Sequence, residues 1–389
     1  MTTYISIRKR YNFLSIIRKF CYNFPCPLSL TSFWNFGRIL GFLTVTQVLT
    51  GFLLRLHYVP VSNLAFDRVA HIERDVNFGW VIRSFHQVGA RGLMLGIVIH
   101  ILRGIFYDSY DRTPSVWYRG AMLYVLCIAI RFLGYVLPWG QIRYWGATVI
   151  TNLFRVIPFI GGDIVRLAWG GYSVGDATLN RFYSFHFLLP FLMLVVIGGH
   201  LSLLHEFGSS NPLGLDRRIR IVPFYPYYLY RDILGLSLWI IIRSYFVFLN
   251  PYVLSDALNY EEANPLVTPL HIKPEWYFLA YYALLRRVPR KTGGILLIVM
   301  AILFLVFLPF ARDKLILGVP NYLGRSGCFW LFVNCWVVLS WLGAIPAEEP
   351  FIIMRGLMGL FLIVVRELDR LICDVHDWYE DKSRVLSRH

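Results

Sequence analysis

Two apolar runs, one hundred residues apart, each carry a pair of histidines fourteen residues apart. The stretch 79–104, GWVIRSFHQVGARGLMLGIVIHILRG, holds His86 and His100, and the stretch 181–205, RFYSFHFLLPFLMLVVIGGHLSLLH, holds His186 and His200. On a helix of about 3.6 residues per turn, fourteen residues close almost four turns, so both imidazoles of a pair share one face, about 21 Å apart in rise. A lone histidine in a membrane helix commonly hydrogen-bonds a neighbouring helix. Two pairs of identical phase do something more specific: packed side by side, the helices set four imidazoles at two levels. Facing nitrogens at each level make a bis-imidazole site for an iron porphyrin.

The composition says what surrounds these runs. Hydrophobic residues are 57% of the chain, charged residues only 16%, and the mean hydropathy is +0.55, the signature of a polytopic membrane protein. Aromatics at 17% suit interfacial belts and a large flat ligand. The net charge of +15 does not point to nucleic acid, because the arginines are scattered between apolar runs, where topology and anionic lipid account for them. Of the six cysteines, Cys127, Cys328 and Cys335 lie in apolar runs and Cys21 and Cys26 precede the first; there is no C-x-x-C-H, so haem would be held without thioether links. The basic N-terminal stretch IRKRYNFLSIIRKF reads as an interfacial amphipathic helix rather than a cleaved leader.

The hydropathy predicts an all-α fold of eight transmembrane helices, near 33–56, 78–107, 116–137, 179–207, 231–249, 292–310, 322–342 and 351–371. Residues 139–172 are too polar and glycine-punctuated to span and read as short interfacial helices. This divides the chain into an N-terminal basic segment (1–32), a di-haem four-helix bundle (33–230) and a C-terminal part (231–389) with a long polar connection, 250–288. Spans two and four are separated by one other span and run the same way, so His86 is level with His186 and His100 with His200. The lysine and arginine bias, including Arg8, Lys9, Arg10, Arg18 and Lys19, puts both termini on the negative side, together with His100 and His200.

Glycines echo the histidines. Gly37 and Gly51 on the first span, and Gly120 and Gly134 on the third, are again fourteen apart. Small residues at those levels serve ordinary helix packing or let a porphyrin approach the backbone; the shared phase favours the porphyrin. Arg83 and Arg103, each three residues from a histidine, are placed to pair with haem propionates or to snorkel to the interface.

With these features the chain resembles cytochrome b of respiratory complex III, the ubiquinol–cytochrome c oxidoreductase, in its fused mitochondrial or bacterial form. The likeness runs from about Trp34 to the eighth span and is carried by WNFG (34–37), GYVLPWGQ (134–141), WGATVITN (145–152), HEFGSSNP (205–212) and PEWYF (274–278). The resemblance implies a low-potential haem on His86 and His186 and a high-potential haem on His100 and His200. It also implies a quinol-oxidation pocket with Glu275 as proton acceptor, lined by Tyr135, Gly146, Pro274 and Tyr277. A quinone-reduction site follows near the high-potential haem, with His205 and Asp232 as proton donors. Implied partners are a Rieske-type iron–sulfur subunit, a cytochrome c1-type subunit, other complex III subunits, cardiolipin and a second copy of the complex. The implied location is the mitochondrial inner membrane, with a bacterial inner membrane as the alternative.

Three arginines depart from the family pattern. Arg38 stands where a small polar residue is usual, Arg231 replaces a lysine before Asp232, and Arg131 sits deep in the third span, where it needs a propionate or a carboxylate such as Glu275. Two other classes remain in view. A di-haem subunit of a dehydrogenase or hydrogenase explains the histidines but not PEWYF. A transporter with a histidine proton path predicts no haem and usually internal repeats.

Overall fold

The computed structural model describes residues 18, 22–215, 220–288, 290–310, 318–322 and 324–386. Apart from Arg18, the N-terminal stretch expected at the membrane surface lies outside them. The fold is almost entirely helical. The N-terminal half consists of α1 (Phe36–Arg55), α2 (Ser62–Arg74), α3 (Gly79–Phe106), α4 (Pro114–Val136), α5 (Gln141–Asn152), α6 (Gly161–Trp169) and α7 (Asp176–Phe207). It continues with α8 (Tyr227–Phe248), α9 (Leu279–Leu285), α10 (Lys291–Phe307), α11 (Arg325–Ala344) and α12 (Phe351–Leu386). Pro114 opens α4 at a position whose N–H has no helical partner in any case. The long α7 stops at Gly208, whose N–H makes the last helical bond to the Leu204 carbonyl and whose φ of 76° then turns the chain out of the helix.

Six helices among the described residues are long and apolar enough to cross a membrane: Ser32–Arg55, Gly79–Phe106, Pro114–Val136, Asp176–Phe207, Lys291–Phe310 and Arg325–Ala344. The fifth and eighth expected spans also fold as helices, α8 and α12, but the count of eight does not follow from length and apolarity. Charge is the reason. Helix α8 carries Arg231, Asp232 and Arg243, and α12 carries Arg355, Arg366, Glu367, Asp369 and Arg370. The charges most deeply buried have partners inside the protein. Arg243 donates to the Phe85 carbonyl and the Thr46 hydroxyl. Arg355, only 1% exposed, donates to the carbonyls of Leu342, Ile345 and Pro346 at the end of α11.

Two close helix pairs form the bundle: α1 packs along α3, and α4 along α7, while the pairs touch each other sparingly. Helix α8 packs outside on α3 and α1, and α9, α11 and α12 pack together as a separate group with α10 against α9. As expected, residues 139–172 form the two short helices α5 and α6. The start of α5 is stitched to the long connection by the Gly140–Glu262 bridge, by Gln141 Nε2 donating to the Val267 carbonyl (2.7 Å) and by the Asn264 N–H donating to Gln141 Oε1 (2.8 Å). Only glycine fits at Gly140, where a Cβ would lie 2.6 Å from the Asn259 carbonyl oxygen. At the opposite end of the chain order, β1 (Pro25–Pro27) pairs antiparallel with β2 (Ile221–Pro223), tying the segment before α1 to the α7–α8 connection. None of the described cysteines forms a disulfide.

Candidate functional site

The histidines come together as two levels. His86 on α3 and His186 on α7 face each other with ring centroids 6.2 Å apart and ring planes at 89°. Their Nδ1 atoms are engaged elsewhere: that of His86 with Thr50 Oγ1 (3.0 Å) and that of His186 with the Ile130 carbonyl (2.9 Å). Such bonds fix the ring and leave Nε2 as the ligating nitrogen. At the other level, Arg103 lies 3.4 Å from His100 Nδ1 and its guanidinium sits 4.9 Å from the centre of the Trp34 ring.

Each histidine is met by a glycine of its paired helix. A Cβ on Gly37 or Gly120 would sit 3.5 Å from Cε1 of His100 or His200; on Gly51 it would sit 3.1 Å from His86, and on Gly134 only 2.3 Å from His186. Gly134 and Gly51 therefore serve close approach between the helices of each pair, whereas a Cβ at Gly37 or Gly120 would make ordinary van der Waals contact with its imidazole. The shared phase of glycines and histidines is a contact.

These residues fit a haem ligated on both faces. His86 and His186, with ring centroids 6.2 Å apart, would hold its iron at this level. A cavity of about 230 Å³ opens around this level, bordered by Gly51, His86, Arg131, Gly134, His186 and Glu275 among others. Arg83 also borders it but is paired with Glu73, so a propionate would have to share or displace that carboxylate.

This geometry yields a direct test. Gly134→Ala forces His186 or its helix to move and is expected to lower thermal stability and haem retention. Gly41→Ala, which meets nothing within 4 Å, is expected to be neutral or stabilising by about 0.5–1 kcal/mol. Melting curves and haem absorbance of the two purified variants compare them; equal behaviour contradicts the close-approach role.

Beside the first level lies a charged cluster. Glu275 precedes the short 3-10 turn Trp276–Phe278 and points at Arg91 of α3. Arg91 Nε lies 3.1 Å from Oε2, and its terminal nitrogen lies 2.9 Å from Oε1, a two-pronged pair buried to 6% and 10% side-chain exposure. Arg131 stands 3.8 Å from Oε2 and 5.2 Å from the centre of the Tyr277 ring. Burial alone would raise the Glu275 pKa, but Arg131 and Arg91 more than offset it and hold the carboxyl below its usual range. The stabilisation from these pairs is therefore present above the ordinary carboxylate pKa and is lost as the pH falls through the lowered one. Arg143 of α5 also acts on Glu275; burial pulls its own pKa down to about 10.

Tyr135 borders the same cavity, with the Arg143 guanidinium 5.3 Å from its ring centre. Tyr277 is buried and Pro274 half-buried. Gly146 is set back: a Cβ there would lie 4.0 Å from the Tyr135 ring. Sequence reasoning flagged Arg131 but missed Arg91, although both are arginines inside apolar runs and each demands a buried partner.

At the other level the expected pair is present in altered form. Asp232 forms an ion pair with Arg38, the residue that departs from the family pattern. The Arg38 guanidinium lies 3.7 Å from the Phe224 ring centre, and the His205 ring meets the edge of Phe24 at 4.3 Å. Arg231 turns away and donates to the Leu30 carbonyl (2.7 Å). The β1–β2 pairing thus brings Phe24 and Phe224 to the ends of α1 and α7.

The chain as a whole is similar to known proteins. A family model described as cytochrome b/b6/petB matches residues 21–208, and one described as cytochrome b(C-terminal)/b6/petD matches residues 262–363. A cytochrome b of Chondrus crispus is 43% identical over 352 residues, covering 90% of this chain and 92% of that protein. A solved structure titled hyperthermophilic respiratory Complex III superposes with a TM-score of 0.89 at 29% identity, covering 95% of this chain and 98% of that one.

Proposed function

The chain belongs to the cytochrome b family, and from that premise we propose that it oxidises ubiquinol at the positive side of a membrane and passes one electron across to quinone at the negative side. It is the cytochrome b of a respiratory Complex III-type assembly, a multi-pass helical membrane protein that binds b-type haem. The observation that carries the proposal is the four helix-borne histidines at two levels, each facing a glycine. His86 with His186, and His100 with His200, would each hold a haem, and the bound haems would supply one-electron chemistry at levels about 21 Å apart.

The protein's own groups handle the protons. Glu275 borders the cavity with its side chain 10% exposed, placed to take a proton from quinol, with Tyr135, Pro274 and Tyr277 shaping the pocket and Gly146 set back beside Tyr135. At the far level, His205 and Asp232 are placed to deliver protons to quinone, with Arg38 paired to Asp232. Arg83 and Arg103 would orient the propionates. The other electron leaves to an iron–sulfur partner, because this sequence has no cluster-binding cysteine motif. We assign a Rieske-type subunit and a cytochrome c1-type subunit to that role, in a dimeric complex with bound cardiolipin. The basic flanks support both termini on the negative side, which is the matrix side of the mitochondrial inner membrane that the resemblance implies, or the cytoplasmic side of a bacterial one.

Glu275→Gln tests the oxidation site. Loss of a general base typically costs at least about 100-fold in rate, so ubiquinol oxidation by the variant complex falls by that order while its haem spectrum stays normal. Unchanged turnover contradicts the assignment.

A further inference from the structure

Resting on the reading of Glu275 as proton acceptor, we propose that Arg91 is the positioning residue of the oxidation pocket. Its guanidinium fork holds the Glu275 carboxylate retracted, and quinol gains the carboxylate by taking over part of that fork. None of the motifs that carry the resemblance includes Arg91.

The geometry carries the idea. Two nitrogens of Arg91 occupy both carboxylate oxygens, at 3.1 and 2.9 Å, an arrangement that fixes orientation as well as charge. Both residues border the cavity at the first histidine level. The remaining nitrogen of Arg91 is buried without a hydrogen-bond partner among the described residues, which leaves a donor ready for an oxygen-bearing ligand. A quinol oxygen is such an acceptor, and its hydroxyl is the donor that a freed carboxylate oxygen needs.

The groups facing Glu275 set the charge. Arg91 comes from α3, Arg131 and Tyr135 from α4, Arg143 from α5 and Tyr277 from the segment of Glu275 itself; Asp256 acts on Tyr135 from the connection. Three guanidiniums thus surround one carboxylate. When quinol gives up its proton, one O–H bond breaks on quinol and one forms on Glu275. The negative charge then passes from the carboxylate to the quinol oxygen, where the unpaired donor of Arg91 meets it. Arg91 stays charged throughout, so its contribution moves from carboxylate to substrate with no change in its protonation.

The experiment uses the intact complex with Arg91→Gln and Arg91→Lys. In Arg91→Gln the carboxylate loses a neighbouring cation, so its pKa rises and the acid limb of ubiquinol oxidation moves up by about one to three pH units. The infrared carboxyl band of Glu275, identified by its absence in Glu275→Gln, shifts its titration by the same amount. Arg91→Lys restores the charge without the fork: the acid limb returns near that of the wild type, while KM rises severalfold at unchanged plateau kcat. An unmoved limb and unmoved infrared titration in Arg91→Gln overturn the proposal. Should the glutamine variant fail to assemble, a lysine variant with wild-type KM overturns it. A wild-type complex that does not oxidise ubiquinol contradicts the reading of the site instead, and the infrared titration still decides whether Arg91 holds the carboxylate.

Discussion

Replacing His186 with leucine leaves the purified protein with one b-type haem component in place of two, and electron crossing from the oxidation pocket stops. Leucine is apolar and close in volume, so the helix contact with α4 survives; what disappears is a ligand. His186 is oriented by the Ile130 carbonyl at 2.9 Å and faces His86 at 6.2 Å, so His86 keeps its Thr50 contact but has no opposite ligand. The second level, with His100 and His200 facing Gly37 and Gly120, is built from a separate set of contacts about 21 Å along the helices. It should retain its haem. Haem counting and a low-temperature reduced spectrum of the variant measure this directly. Two full components in His186→Leu contradict the assignment of levels.

The other large effect concerns stability. Asp108, just past the end of α3, is completely buried and is the hub of a network. Its oxygens accept from Arg325 of α11 (2.9 and 3.3 Å), from the Tyr110 hydroxyl (2.8 Å) and from the Gly318 N–H (2.8 Å). Arg325 in turn reaches Asp369 of α12 at 2.9 Å, and Arg366 holds the far oxygen of Asp369 at 3.1 Å. The network therefore ties the bundle to the C-terminal helices. Removing one member of a buried pair leaves the other charge under-compensated and costs about 3–5 kcal/mol. Asp108 also has a φ of 47°, a left-handed conformation that aspartate and asparagine adopt more readily than alanine. Asp108→Ala should accordingly unfold well below the wild type in a detergent melt. Asp108→Ala with Arg325→Met should recover part of the loss, because the stranded cation is gone. An Asp108→Ala melt within a degree of the wild type contradicts this account.

The histidine and glycine phases were legible in the sequence because helix geometry converts spacing into facing. His86, His186, Gly51 and Gly134 meet as their fourteen-residue steps require, and PEWYF places Glu275 before a short turn. What stayed hidden depends on pairings between distant segments. Nothing in GWVIRSFHQVGARG tells that Arg91 will meet a carboxylate 184 residues later, nor that Arg38 will meet Asp232. The count of eight is not confirmed by length and apolarity, because α8 and α12 carry charges, and the partners of those charges on other helices are equally invisible one segment at a time. Arg131 could be flagged as needing a partner; choosing Glu275 required the fold.

The central claim is that two haems bridge the membrane on phase-matched histidine pairs. A potentiometric titration of the purified wild-type complex, followed in the haem absorption bands, tests it most directly. The account predicts two b-type components of equal amount with separate midpoint potentials. A single component, or intact folded protein without b-type absorbance, contradicts it.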